Sequence, residues 1–352
     1  MNLDQLQDRV RHGEPIQHLS LAGADLRGLD LAGAFFDHVD FSGARVDGCQ
    51  LQDSQFTHCD MTRWEAGGVD LGMARLIRCQ ASGATFIGGR LRGASLVECN
   101  LSGAALDEAE LYESSFTATS LEGASLRSTL LERAVFSRGA MANADLSGAR
   151  ISHTLFHQLD LRGVTLTGVD AASTMFIECN LAGQDFSGRA YALCHFTDCQ
   201  LEAADFRHAD LRQAGFKGSM LRGARFAGAS APQCLFPLAD LSGADLRQGR
   251  FDGAIWVDAT LDDALLQGAS LNLCIFQRAR CARTDFRGAH LADADFSLAD
   301  LDCADLRDAT FLRTRMHRAL TQGARWTHRH GIIENDAPLL EAELWSAGRE
   351  TT

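Results

Sequence analysis

Large apolar side chains recur at every fifth residue of this chain. From Leu21 the series runs through Leu26, Leu31, Phe36, Phe41, Val46, Leu51, Phe56 and Met61. It is still in phase at Leu146, Phe206, Leu246, Phe286 and Met316. Between Leu21 and Met316 only Ala66, Ala81, Ala171, Ala231 and Cys281 interrupt it, and no insertion shifts the phase. That leaves no room for a linker, a domain boundary or a protruding loop. A period of five matches neither the 3.6 of an α-helix nor the 2.0 of a strand. It requires a chain that turns a corner every five residues, with the central residue, position i, pointing inward. Position i−2 shares that face of extended chain and must be small to pack near the axis. Ala24, Ala44, Ala84, Ala104, Ala124, Ala144, Ala204, Ala224 and Ala244 stand there. Glycine at i+2, as in Gly23, Gly43, Gly83, Gly103 and Gly243, suits a turn with positive φ.

The unit is plainest in ADLSGADL (Ala239 to Leu246), GADLRGLDL (Gly23 to Leu31) and LADADFSLADLDCADL (Leu291 to Leu306). These segments resemble the pentapeptide-repeat family, whose pattern is A(D/N)LXX, and the resemblance extends over about residues 16–326. It implies an all-β solenoid: a right-handed quadrilateral β-helix with four repeats per coil and about fifteen coils. At roughly 4.8 Å per rung, such a rod is about 70 Å long.

Four repeats per coil predict that each wall recurs every twenty residues. One wall then holds Phe36, Phe56, Leu76, Leu96, Phe116, Phe136, Phe156, Phe176, Phe196, Phe216, Phe236, Trp256, Phe276, Phe296 and Met316. The next is nearly all leucine from Leu101 to Leu261. The first should form an internal aromatic ladder.

The same ruler disposes of most candidate chemistry. The chain has 11 cysteines. Cys49, Cys59, Cys79, Cys99, Cys179, Cys194, Cys199, Cys234 and Cys274 occupy i−2 and Cys281 occupies i, so they read as small buried hydrophobes and free thiols. Cys303 alone falls outside the inward slots. The 12 histidines are scattered, densest at His317, His328 and His330, without metal-ligand spacing. No nucleophile motif stands out, and the recurrent glycines are turn residues and not a phosphate loop. Neither an enzyme nor a cofactor or metal is expected.

Formal charge is −13, which disfavours direct binding to nucleic acid or anionic membrane. No apolar run approaches the 18 residues of a membrane span, and the N-terminus lacks an apolar signal core. The expected compartment is the cytoplasm. Residues 1–15 form an N-terminal cap, with Leu3, Leu6 and Val10 at helical spacing and Gly13 as the stop. Residues 327–352 form a tail and capping helix, N-capped by Asp336, whose Leu339, Leu340, Leu344 and Trp345 should cover the last coil or else engage a partner.

Two places break the inward code. Trp64 fills a small slot beside Ala66, exchanging volume within one repeat. Gln184, Arg189 and Tyr191 make a longer irregularity. There a buried unpaired Arg189 would cost several kcal/mol, so the coil should bulge and release it to solvent.

Outward slots are i−1, i+1 and i+2. On one wall Asp at i−1 meets Arg at i+1, as in Asp25/Arg27, Asp205/Arg207, Asp245/Arg247, Asp285/Arg287 and Asp305/Arg307. The aromatic wall differs. Its i−1 slots read Val135, Leu155, Met175, His195, Gly215, Leu235, Ile255 and Ile275, with Ile177 and Val257 at i+1 and Leu238 and Leu298 at i+2. A contiguous apolar strip on a solvent wall marks a surface for a protein partner or a second copy; a terminus is the other route to a homodimer.

The reading is therefore a non-catalytic, rigid scaffold or adaptor. The amphipathic head running through GEP into the repeats resembles members associated with bacterial type VI secretion, which implies an accessory role there. The alternative, also from the family, is a duplex-DNA mimic acting on DNA gyrase. Duplex DNA carries about 40 charges over 70 Å, whereas here a net −13 is interleaved with arginine.

Overall fold

A computed structural model describes residues 3–347. The chain folds as a β-solenoid of about 16 turns with a short helix at each terminus. One turn more than the fifteen expected arises because rungs form on both flanks of the Leu21–Met316 series, at Ile16–Gln17 and at Arg325–Trp326 and Ile332–Ile333. The fold comprises two compact units, Met1–Asn180 and Leu181–Thr352.

In the first unit, helix α1 (Leu3–Arg11) buries Leu6 and Val10 but leaves Leu3 exposed. Gly13 ends it in the left-handed conformation, φ 69°, and its N–H bonds the carbonyl of Val10 at 2.9 Å. Arg9 fastens the junction, holding Glu14 at 3.1 Å and the Pro15 carbonyl at 2.6 Å. Short parallel strands follow in strict twenty-residue register: Phe35–Asp37 pairs Gln55–Thr57, which pairs Arg75–Ile77, and so on through Leu155–His157 to Met175–Ile177. The other faces are tied by equivalent bridges, Ser20↔Asp40, Asp25↔Arg45 and Asp30↔Gln50. Four faces per turn follow from these four bridge series.

Each corner is built alike. Ala24 N–H bonds the Leu21 carbonyl at 3.0 Å, closing a four-residue turn, while Leu26 N–H bonds Arg45 O and Arg45 N–H bonds Ala24 O across the rungs. The third turn residue, i+2, is left-handed whether or not it is glycine: φ is 64° at Gly23, 53° at His38 and 55° at Arg63. A non-glycine residue pays roughly 1–2 kcal/mol for that conformation.

One recurrent device explains the aspartate of the repeat. At i−1 its carboxylate accepts the backbone N–H two residues on, as in Ser42 N–H to Asp40 at 2.9 Å and Ser242 N–H to Asp240 at 3.0 Å. The side chain thus closes the corner locally.

Inside the first unit, rings stack rung on rung: Phe116, Phe136, Phe156 and Phe176 at 4.8, 5.2 and 5.1 Å. The second unit repeats this with Phe196, Phe216, Phe236, Trp256, Phe276 and Phe296. It adds a second column, Phe186, Phe206 and Phe226, which meets the first edge-on, Phe206 against Phe216 at 5.4 Å and 85°. Offset stacking along columns and edge-to-face contact between them are the arrangements the ring quadrupole favours.

The twenty-residue register ends in the second unit. Asp305 still pairs Arg325, but Thr314 pairs Ile332, a step of eighteen. Helix α2 (Ala337–Ala347) follows, with Leu339 N–H bonded to the Asp336 carboxylate at 3.1 Å. The expectation that its apolar residues cover the last coil differs from what is seen. Leu339, Leu344 and Trp345 are exposed, the last two to 65% and 63%, and Leu340 is half-buried, because the helix is held by its polar edge. Glu343 takes Arg318 at 3.0 Å and His317 at 3.2 Å.

Candidate functional site

The apolar i−1 residues form a ladder in each unit. In the first, Val135 lies opposite Leu155 and Leu155 opposite Met175, in register. Ile177 stands on the same strand as Met175. Met175 is 40% exposed; the others are half-buried against neighbouring rungs. Ser137, His157, Arg138, Gln158 and Glu178 border this ladder with polar groups.

In the second unit, Leu235 bridges Ile255 and Ile255 bridges Ile275, with Val257 beside Ile255. Leu235 is 37% exposed and Leu238, at the adjoining corner, 59%. Leu238 and Leu298 hold φ of 61° and 62°. A branched side chain in the left-handed region gains nothing from burial there, so these leucines cost stability without returning any to the core.

The irregularities fall elsewhere. Trp64 is buried against Phe41, Phe56 and Phe86, next to the small Ala66. Arg189 is exposed, Gln184 half-buried and Tyr191 buried, packed edge-on to Phe186 at 5.1 Å. Arg189 keeps its backbone rung, its carbonyl accepting Asp210 N–H at 2.9 Å. None of these residues belongs to either ladder.

The charged face is self-neutralising. Arg207, Arg247, Arg287 and Arg307 each reach the aspartate two residues earlier at 2.7 Å. Across rungs, Arg225 reaches Asp205 and Arg325 reaches Asp305, both at 2.9 Å. Hydrogen bonding to Arg307 holds Asp305 below the usual carboxylate range, and Arg27 brings Asp25 down to about 2. The cysteine thiols act as small donors: Cys49 Sγ bonds the Leu26 carbonyl at 2.7 Å and Cys274 Sγ that of Phe251 at 3.0 Å. Burial pushes the Cys179 thiol up to about 11 and that of Cys274 to about 12, far from a reactive thiolate. Among the described residues no cysteine forms a disulfide, and Cys303 is exposed.

The three C-terminal histidines divide. His317 is buried, accepting Asp336 N–H at Nδ1 and donating from Nε2 to Glu343. His328 and His330 pair at 5.7 Å. Sequence reasoning missed a different set: His18, His38 and His58 stack at one corner, with centroids 5.2 and 4.7 Å apart. Their spacing of twenty was the available signal.

Comparison with known proteins settles the family. The profile for pentapeptide repeats (8 copies) matches residues 20–63, 194–236, 239–278 and 279–318, and that for the pentapeptide repeat region matches residues 89–166. The chain belongs to the pentapeptide-repeat family. No curated protein gives a significant match. Among solved structures, this pentapeptide-repeat protein is 25% identical to HetL of the cyanobacterium Nostoc, involved in heterocyst differentiation regulation. That match covers 79% of this chain and 96% of HetL, with a TM-score of 0.21. It is 18% identical to QnrB1, a plasmid-mediated fluoroquinolone resistance protein, over 58% of this chain and 95% of that one, TM-score 0.26. A pentapeptide repeat protein of the Arabidopsis thaliana thylakoid lumen is 31% identical over 35% of this chain and 68% of its own, TM-score 0.14. Scores this low leave the fold to rest on the repeat itself. The resemblance to type VI secretion members finds no support in these matches. Among the described residues, no helix is long and apolar enough to cross a membrane.

Proposed function

We propose that this pentapeptide-repeat protein is a non-catalytic scaffold that docks a protein partner, or a second copy of itself, on its apolar ladders. The observation that carries this reading is the Leu235–Ile255–Ile275 ladder continued onto Leu238, an exposed leucine at a corner where glycine is cheaper. Flat β-faces tolerate half-buried aliphatics for their β-propensity alone, but that does not explain a left-handed leucine. The double variant Leu235→Asp/Ile255→Asp tests it. The fold should persist by circular dichroism while self-association or partner capture is lost. Unchanged mass in sedimentation and unchanged capture would refute the reading.

The duplex-mimic reading meets a specific obstacle. The aspartates that would imitate phosphates carry one arginine from their own rung and another from the next, as at Asp205 and Asp305. A gyrase supercoiling assay decides it, and no inhibition or protection is expected. The type VI secretion role remains a proposal about context, tested by whether the chain co-purifies with secretion components.

A further inference from the structure

We propose that His18, Asp37 and His38 form a surface site for a divalent transition metal of the zinc class, which pins the first turn of the solenoid to the second. The two histidines occupy equivalent corners on adjacent rungs, with φ of 50° and 53°. Their separation is set by backbone bonds: His18 N–H to Asp37 O at 3.1 Å and His38 N–H to Thr57 O at 3.0 Å. The imidazoles are therefore stacked, 5.2 Å between centroids and 27° between planes. Asp37 sits on the strand entering the second corner, and its Oδ1 meets His38 Nδ1 at 2.8 Å. Gln17 donates to the other oxygen at 3.4 Å, which orients the carboxylate. One donor atom from each of the three lies within 4.8 Å of the others.

Two imidazole nitrogens and one carboxylate oxygen form a donor set that suits zinc, nickel or copper. Calcium and magnesium take oxygen-rich sites. Zinc–nitrogen bonds of about 2.0–2.1 Å place tetrahedral donors roughly 3.3 Å apart. The side chains must close by about 1.5 Å from the 4.8 Å limit. His18 and His38 are exposed and Asp37 half-buried, so rotation about their own bonds supplies the movement without disturbing the core. Water fills the remaining positions. His58 extends the stack at φ 53°, in a corner series without glycine from His18 to Asp198, so it is the donor set and not the backbone cost that gives these imidazoles work. The location gives that work a purpose, since a terminal rung has a neighbour on one side only and opens first.

The test is calorimetric titration of the untagged full chain, stripped with chelator, with zinc chloride alone at pH 7.5. One zinc per chain at micromolar affinity is expected. His38→Ala should weaken binding at least tenfold and His18→Ala similarly, while His330→Ala leaves it unchanged. Acid should weaken it too, because a protonated imidazole cannot ligate. Hydrogen exchange supplies the second readout. Zinc should slow amide exchange across residues 16–40 in the native chain and not in His38→Ala. Absence of binding, affinity retained in His38→Ala, or zinc that binds without protecting residues 16–40 would each overturn the proposal.

Discussion

The two apolar ladders use the same slot of the same repeat, yet they are differently made. Val135, Leu155 and Met175 stand over one aromatic column and are bordered by Ser137, His157 and charged corners at Arg138 and Glu178. Leu235, Ile255 and Ile275 stand over a column that a second set of rings braces edge-on, Phe226 and Phe251 lying 6.1 and 6.4 Å from Phe236. Their corner carries Leu238, followed on the next two rungs by the ion pair of Asp258 and Arg278 at 2.7 Å. Apolar residues at i−1 alone are what any half-covered strand accepts. Apolarity that reaches a left-handed corner is not, and under the proposed docking role it sets the second ladder apart from the first.

The largest expected effect lies beneath the ladders. Phe236→Ala should cost about 3–5 kcal/mol and Phe156→Ala the lower end of that range. The reason is that among the described rings Phe156 meets Phe136 and Phe176 of its column, whereas Phe236, between Phe216 and Trp256 in its own column, also meets Phe226 and Phe251 of the second. Urea unfolding gives the order, and a reversal would break the comparison. Next, Leu235→Asp should weaken self-association or partner capture at least tenfold, and Leu155→Asp less; equal losses would make the two ladders one kind of surface. Smaller still, Leu238→Gly should stabilise the fold by about 0.5–1 kcal/mol while weakening docking, whereas Ala203→Gly, at an exposed left-handed corner of the leucine wall, should stabilise equally without touching docking. If docking survives Leu238→Gly, the corner leucine is not part of the surface.

The smallest effect concerns the charged face. Asp25 titrates at about 2 because Arg27 bonds it. A carboxylate with a depressed folded pKa contributes stability that is complete above its unfolded value, near 3.9, and lost as pH falls through the folded value. The window is therefore about pH 4 to 2, and the loss in Asp25→Asn should be flat across it. The pair is exposed, so the change in midpoint on acid titration should be slight.

Much of this was legible in order. A ruler of five identified the inward slots because no residue is inserted between Leu21 and Met316. A ruler of twenty separated Phe136, Phe156 and Phe176 onto one column because backbone pairing repeats at that step. What escaped needed three dimensions. Asp40 reads as surface charge until its bond to Ser42 N–H is seen. Leu344 and Trp345 read as a cap because amphipathicity does not reveal that Glu343 would anchor the helix by its other edge. His18, His38 and His58 were readable on the ruler of twenty but lie among twelve histidines of no other order.

The step of eighteen between Thr314 and Ile332 has a consequence for the last coil. Every earlier rung is a template on which the next can be laid, corner upon corner. The left-handed corner survives the shortened step, with Gly331 at φ 86° opposite Arg313 at φ 50°. The last coil thus closes in eighteen residues where the earlier ones take twenty, and the thread shortens without losing its pitch.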